Sequence, residues 1–197
     1  YWRDWSSDVC SSDLETIDRP FVGAGEAAAR RAMDKLATKS LAIDLGIPTP
    51  NARRFENEDD LPPPPFVLKP VDDGSSVGVK LVHGPEDLPT ALAELAGVRD
   101  RLMVETLIDG RELTVGIVGD VVLPPIEIVP AERHYDFEAK YHRDDTTYHV
   151  DPELPEDVAD RLAHWTRTLH DALGVEDLSR TDWLLETPDG GSPRVWL

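Results

Sequence analysis

A single cysteine, Cys10, stands in the whole chain, so no internal disulfide can form, and no Cys/His cluster carries the spacing of a zinc site. No apolar run approaches the roughly 18 residues that cross a bilayer, and no basic-then-apolar leader opens the sequence. The reading is therefore no membrane span, with the cytoplasm as the expected location. Positive charge is also scarce: 20 Lys and Arg stand against 39 Asp and Glu, a formal net charge of −19. Such a balance repels the phosphates of nucleic acid, and no Lys/Arg stripe offsets it locally, which argues against a nucleic-acid partner. Lysine is scarcest, at Lys35, Lys39, Lys69, Lys80 and Lys140 only. The remainder, 40% hydrophobic over 197 residues, suffices for one good core or two small lobes.

Against that shortage of lysine, the segment Phe66 to Gly78, FVLKPVDDGSSVG, stands out. An apolar run ends in Lys69, and after a turn come Gly74, Ser75 and Ser76 before a second apolar segment. A hairpin of this kind sets an ammonium and several backbone N–H groups on one side, where a polyphosphate can lie. The same pattern also suits a plain Gly-rich turn. Three further segments bear on the choice. In Leu102 to Val115, LMVETLIDGRELTV, Glu105 ends an apolar run and Glu112 opens an alternating strand after the Asp109-Gly110 turn. Tyr135 to Tyr141 reads YDFEAKY, and Ser179 to Glu186 reads SRTDWLLE.

In this order and at these spacings the four segments resemble the ATP-grasp ligases, and within them the D-alanine:D-alanine ligase family, from about Phe21 to Leu197. The resemblance implies ATP and Mg²⁺ as cofactors, with Mn²⁺ as a substitute, and D-alanine as substrate. One D-alanine carboxylate would be phosphorylated by ATP and the acyl phosphate attacked by the amine of a second D-alanine. Such chemistry rests on positioning and on cations around the transferring group.

The resemblance also implies roles. Lys35 and Lys69 would contact ATP phosphates. Ser75 and Ser76 would lie in the hairpin that folds over them, with Gly74 and Gly78 permitting close backbone approach. Ser75 would also help orient substrate. Glu105 would bind on the nucleotide's adenine side, Ile108 would contact the nucleotide, and Glu112 would accept from the ribose diol. Lys140 and Tyr141 would belong to a lid that excludes water from the acyl phosphate. The YDFEAKY sequence is of the dipeptide-forming rather than depsipeptide-forming kind. His134 and His142 read as solvated loop residues. Arg180 would stabilise developing charge, and Asp182 would bind Mg²⁺ through oxygen. Plainer readings stand beside these: an exposed helix lysine for Lys35, solvated strand-end acids for Glu105 and Glu112, and a strand salt bridge for Arg180 with Asp182.

Periodicity and stop signals predict a helix over Glu26 to Leu45, with Met33, Leu36, Ala37, Leu41 and Leu45 on its apolar face and Lys35 and Lys39 on its polar side. Further helices are expected at Pro85 to Ala96 and Pro155 to Leu173, the latter stopped by Gly174. Strands are expected at 66–69, 77–82, 101–105, 112–118, 121–124, 127–130, 178–186 and 194–197. Asn57 to Pro65 reads as a loop, and Arg133 to Tyr148, without period, as a functional loop.

The mixture is α+β: the ATP-grasp fold, with two lobes of antiparallel sheet and flanking helices around a nucleotide cleft. Residues 1–14 read as a non-native or disordered segment, resembling translated adapter sequence. Residues 15–25 read as the exit of an absent N-terminal domain, 26–104 as a central lobe and 105–197 as an incomplete C-terminal lobe. Both ends look cut, so the expectation is a fragment inactive alone, from an enzyme whose relatives are commonly homodimers. Two alternatives remain: another ATP-grasp carboxylate-amine ligase, or a non-catalytic nucleotide-binding piece.

Overall fold

The computed structural model describes residues 13–97, 100–130 and 146–197. Two antiparallel sheets organise them. The first has four strands in the order β1 (Ala52–Arg54), β4 (Leu102–Thr106), β2 (Phe66–Pro70) and β3 (Lys80–Val82). The second runs β10 (Arg194–Trp196), β9 (Leu178–Glu186), β5 (Arg111–Val118), β7 (Ile126–Val129) and β8 (Thr147–Val150), with the short β6 (Val121–Val122) also paired to β5. The helices that flank them among the described residues include α1 (Glu26–Met33), α2 (Lys35–Asp44), α3 (Leu88–Leu95) and α4 (Glu156–Leu173).

Strand alternation decides which side of each sheet is core. In β2, Phe66 and Leu68 point with Val82 and Val104 onto Ala91 and Leu95 of α3. Val67 and Lys69 fall on the opposite face, opposite Glu105 and Met103 of β4. At Gly78 the backbone runs close against this lobe. It has φ +70°, and a Cβ there would stand 3.0 Å from Pro70 Cγ and 3.1 Å from Leu95 Cδ2.

The second sheet buries Leu113, Val115, Trp183, Leu185 and Val195 against Val158, Leu162, Leu169 and Leu173 of α4. Those four helix positions recur at the spacing of one helical face. The Trp183 indole is 1% exposed, and its N–H donates to Thr166 Oγ1 at 3.1 Å, so the largest buried ring carries no orphan donor. Gly174, at φ +71°, caps α4 in the left-handed region.

Three expectations change. The long helix over Glu26 to Leu45 is two helices, because Asp34 adopts φ −79°, ψ 100° and its carboxylate accepts from Ala37 N at 2.9 Å, an N-cap that starts α2 anew. The expected apolar face is only partly the buried one: Met33, Leu36 and Leu41 are half-buried, with Leu41 against the core, but Ala37 and Leu45 are exposed, while Lys39 and Ala42 are buried. Lys39 is therefore not on a solvated polar side. Finally, β1 and β8 occupy stretches that carried no strand expectation, and β8 takes the last two residues of the expected 133–148 loop.

The change of sheet comes at 107–110, after β4 ends at Thr106, so a division between 104 and 105 falls inside that strand. Helix α2 belongs to both sheets: Ala42, with Ile47 just beyond, enters the core of the second, while its lysines reach the first.

Candidate functional site

The break at Asp34 aims the start of α2 at the end of β2. Lys35 N donates to Val71 O at 3.0 Å, and Lys35 Nζ donates to Val71 O at 3.3 Å and to Asp73 O. This ties the helix to the residues that lead into the Gly-Ser-Ser turn. Burial, and then the neighbouring Lys69 charge, lowers the Lys35 ammonium from its ordinary value of 10.5 to about 8.

One turn further along α2, Lys39 Nζ pairs with Glu105 Oε1, and Lys69 Nζ pairs with Glu105 Oε2. One buried carboxylate thus joins a helix lysine to a strand lysine. Lys39 also donates to Thr49 Oγ1 at 2.5 Å and to Pro50 O at 3.2 Å, and Thr49 Oγ1 donates to Leu197 O at 3.2 Å. Burial alone would raise the Glu105 carboxyl, yet the Lys69 and Lys39 charges hold it below its ordinary value of 4.5. Burial lowers Lys39 in turn, against the pull of Glu105. Side-chain exposure is 8% for Glu105, 11% for Lys39 and 18% for Lys69, so of the three Lys69 is the most open.

The turn after β2 puts Ser75 at φ 54° and Ser76 at φ 57°, two consecutive left-handed residues without the freedom of glycine. Val77 N donates to Gly74 O at 3.1 Å and closes the turn. Each left-handed serine costs on the order of 1 kcal/mol. Ser75 is exposed and Ser76 half-buried.

The second sheet presents a separate polar row. Alternation puts Glu112 and Thr114 of β5, with Arg180 and Asp182 of β9, on the face away from α4. Thr114 Oγ1 donates to Asp182 Oδ1 at 2.7 Å, Arg180 Nε stands 3.1 Å from the same oxygen, and Arg180 Nη2 donates to Oδ2 at 3.3 Å. Asp182 is exposed and is a hard-oxygen donor, the type that Mg²⁺ takes. Among the described residues no three His, Cys, Asp or Glu gather as a metal cluster. Asp182 therefore fits one ligand position for such an ion. Ile108 is half-buried in the 107–110 connector.

The model of the D-ala D-ala ligase C-terminus family matches residues 49–192. The chain belongs to that family. It is 38% identical over 176 residues to D-alanine--D-alanine ligase of Gluconobacter oxydans, covering 86% of this chain and 58% of that relative. It is likewise 38% identical to the D-alanine--D-alanine ligase of Geobacter sulfurreducens, covering 87% of this chain and 56% of the relative. The chain thus spans well under two thirds of the length of these curated relatives. The crystal structure of D-alanine--D-alanine ligase from Bacillus anthracis complexed with ATP superposes with TM-score 0.76 at 26% identity, over 99% of this chain and 64% of that one. The α+β architecture with its two antiparallel sheets is that of the ATP-grasp ligases.

Within this family member, sequence reasoning pointed to Lys35, Lys69 and Glu105, and the fold brings them together. Glu112, Arg180 and Asp182 also share one face, on the other sheet. The side chain of Glu105 is here the counter-ion of two lysines rather than an unengaged strand-end acid. Three members of these networks went unnoticed: Lys39, Thr49 and Thr114. Lys39 carried a signal, as one of only five lysines and four residues after Lys35, which puts the two on one side of the helix. Lys140, Tyr141, His134 and His142, with residues 133–145 of the expected loop, lie outside the described residues, as do residues 1–12. No helix among the described residues is long and apolar enough to cross a membrane.

Proposed function

We propose that this chain carries the nucleotide-binding and phosphoryl-transfer part of an ATP-dependent enzyme that joins two D-alanines into D-alanyl-D-alanine, a peptidoglycan precursor. The observation that carries this reading is the cluster in which Lys39 and Lys69 share the buried carboxylate of Glu105, with Lys35 beside Lys69 and close to Asp73 and Asp72, so that three of the chain's five lysines gather in one place inside a chain of net charge −19. A concentration of cations that departs so far from the average charge suits a polyanionic ligand.

In the proposed reaction a carboxylate oxygen of the first D-alanine attacks the γ-phosphorus of ATP and ADP leaves. The amine nitrogen of the second D-alanine then attacks the acyl carbon, inorganic phosphate leaves and the amine gives up a proton. Lys35 and Lys69 would neutralise phosphate oxygens, and the backbone N–H groups around Ser75 and Ser76 would complete the cradle. Ile108 in the connector and Glu112 at the start of β5 would contact the nucleoside. Glu105 would bear on the adenine side while holding Lys69, since each carboxylate oxygen keeps a second lone pair. Arg180 would meet charge on the transferring group, and Ser75 and Tyr141 would orient the amino acid. Lys140 would reach the nucleotide from the lid. Asp182 would hold Mg²⁺, which when bound neutralises charge on the phosphoryl oxygens.

A chimera tests the reading: residues 21–197 replace the matching stretch of the Gluconobacter oxydans relative. ATP- and D-alanine-dependent phosphate release with formation of D-alanyl-D-alanine is the expected result. Phosphate release without dipeptide, or with a different acceptor amine only, would overturn the substrate assignment.

A further inference from the structure

An ammonium group has three N–H donors, and Lys39 uses all three within the protein, on Glu105, Thr49 and Pro50. It has none left for a ligand. Its position nevertheless bears on ligand charge, because Glu105 offers one oxygen to Lys39 and the other to Lys69. Remove the Lys39 charge and the carboxylate has a single partner, so Lys69 and Glu105 become a neutral pair. Keep it, and the three groups carry a net positive charge whose most exposed member is Lys69.

Resting on the nucleotide reading above, we propose that Lys39 is a positioning residue for phosphate binding: it occupies one oxygen of Glu105 so that Lys69 retains surplus positive charge toward a polyphosphate. Thr49 and Pro50 fix Lys39 for this task, and the bond from Thr49 to Leu197 anchors them to the edge of the second sheet.

The test is calorimetric binding of a non-hydrolysable ATP analogue and of AMP, each with Mg²⁺, to the whole chain and its variants. Lys39→Met and Lys39→Gln both remove the charge, and glutamine keeps donors for the same acceptors. Either variant should weaken the ATP analogue about tenfold, the equivalent of one charge-assisted hydrogen bond, and weaken AMP no more than about threefold. Lys39→Arg, which keeps the charge, should recover affinity to within about threefold of the parent. Unchanged ATP-analogue affinity, or equal losses for both nucleotides, would overturn the proposal. So would failure of both neutral variants to fold by circular dichroism, which would make Lys39 purely structural. Absence of binding by the unsubstituted chain is a different result, and it would overturn the nucleotide reading together with this inference.

Discussion

Thr114 and Asp182 stand opposite each other in the β5–β9 ladder, and the Thr114 hydroxyl donates to Asp182 Oδ1 at 2.7 Å. Arg180, two residues before Asp182 on the same face, contacts both oxygens of the carboxylate, Nε on the oxygen that Thr114 uses and Nη2 on the other. An exposed aspartate on a strand ordinarily samples several rotamers, and here two partners select one.

It is predicted that Thr114→Val costs the fold little. Valine keeps the β-branch that suits this strand, and the exposed carboxylate regains water, so the loss should be no more than about 1 kcal/mol in urea denaturation. Mn²⁺ affinity in the presence of an ATP analogue, read by electron paramagnetic resonance, should nonetheless fall. Unchanged Mn²⁺ affinity would mean that the hydroxyl does not orient Asp182 for a metal.

Much of this arrangement was legible in the chain. The apolar run ending in Lys69 marked β2, and Gly174 ended α4 where expected. The break at Asp34 was legible in principle, since aspartate is a strong N-cap, but an apolar period running on both sides hid it. The burial of Lys39 on α2 was not legible. Hydrophobic periodicity assumes that charge faces water, and Lys39 is buried by a carboxylate from a strand 66 residues further along. β1 escaped for a related reason: Ala52-Arg53-Arg54 has no strand signature of its own and is held by its pairing with β4.

The core of the second sheet allows a graded prediction. Trp183→Ala should destabilise the chain by about 3–5 kcal/mol, the usual cost of deleting a fully buried large ring. Trp183→Phe should cost about 1–3 kcal/mol, because the ring remains while Thr166 loses the indole donor and the packing loosens. Guanidinium titrations should rank the variants in that order. Equal losses would mean that the indole contributes chiefly through its hydrogen bond rather than its volume.

Lys35 predicts a basic limb for nucleotide binding. Its folded pKa of about 8 lies below its ordinary 10.5, so between those values the unfolded chain binds the extra proton. On its own, the group therefore makes stability rise with pH through that window. The cost of burying the charge is fully present below about 8 and gone above 10.5. Ligand affinity moves the opposite way, since a neutral amine attracts phosphate poorly. ATP-analogue affinity should fall above pH 8 by up to about tenfold per unit, and Lys35→Met should flatten the profile at a lower affinity. A parent profile that stays level from pH 7 to 10 would remove Lys35 from the phosphate site.

Glu105 gives the last prediction, and here the pH argument has the other sign. Its folded pKa is held below the ordinary 4.5 by Lys69 and Lys39, so on acidification the unfolded chain takes up the proton first. The stability supplied by the ionised carboxylate is present above pH 4.5 and drains away as pH falls through the folded value. Glu105→Gln removes it at every pH and leaves two largely buried ammonium groups sharing a neutral amide. At neutral pH such a loss costs about 3–5 kcal/mol, with the upper end limited because either lysine can release its proton. That release determines how the variant responds to base. The folded variant should bind fewer protons than its unfolded chain, so its deficit relative to the parent should shrink as pH rises toward 10. Urea titrations of parent and variant at pH 4, 7 and 9.5 provide the check. A deficit that is largest at pH 7, smaller at pH 4 and smaller again at pH 9.5 fits one carboxylate neutralising two lysines. A deficit independent of pH would show that Glu105 acts by shape and hydrogen bonding alone, and that the charge on Lys39 and Lys69 is balanced elsewhere.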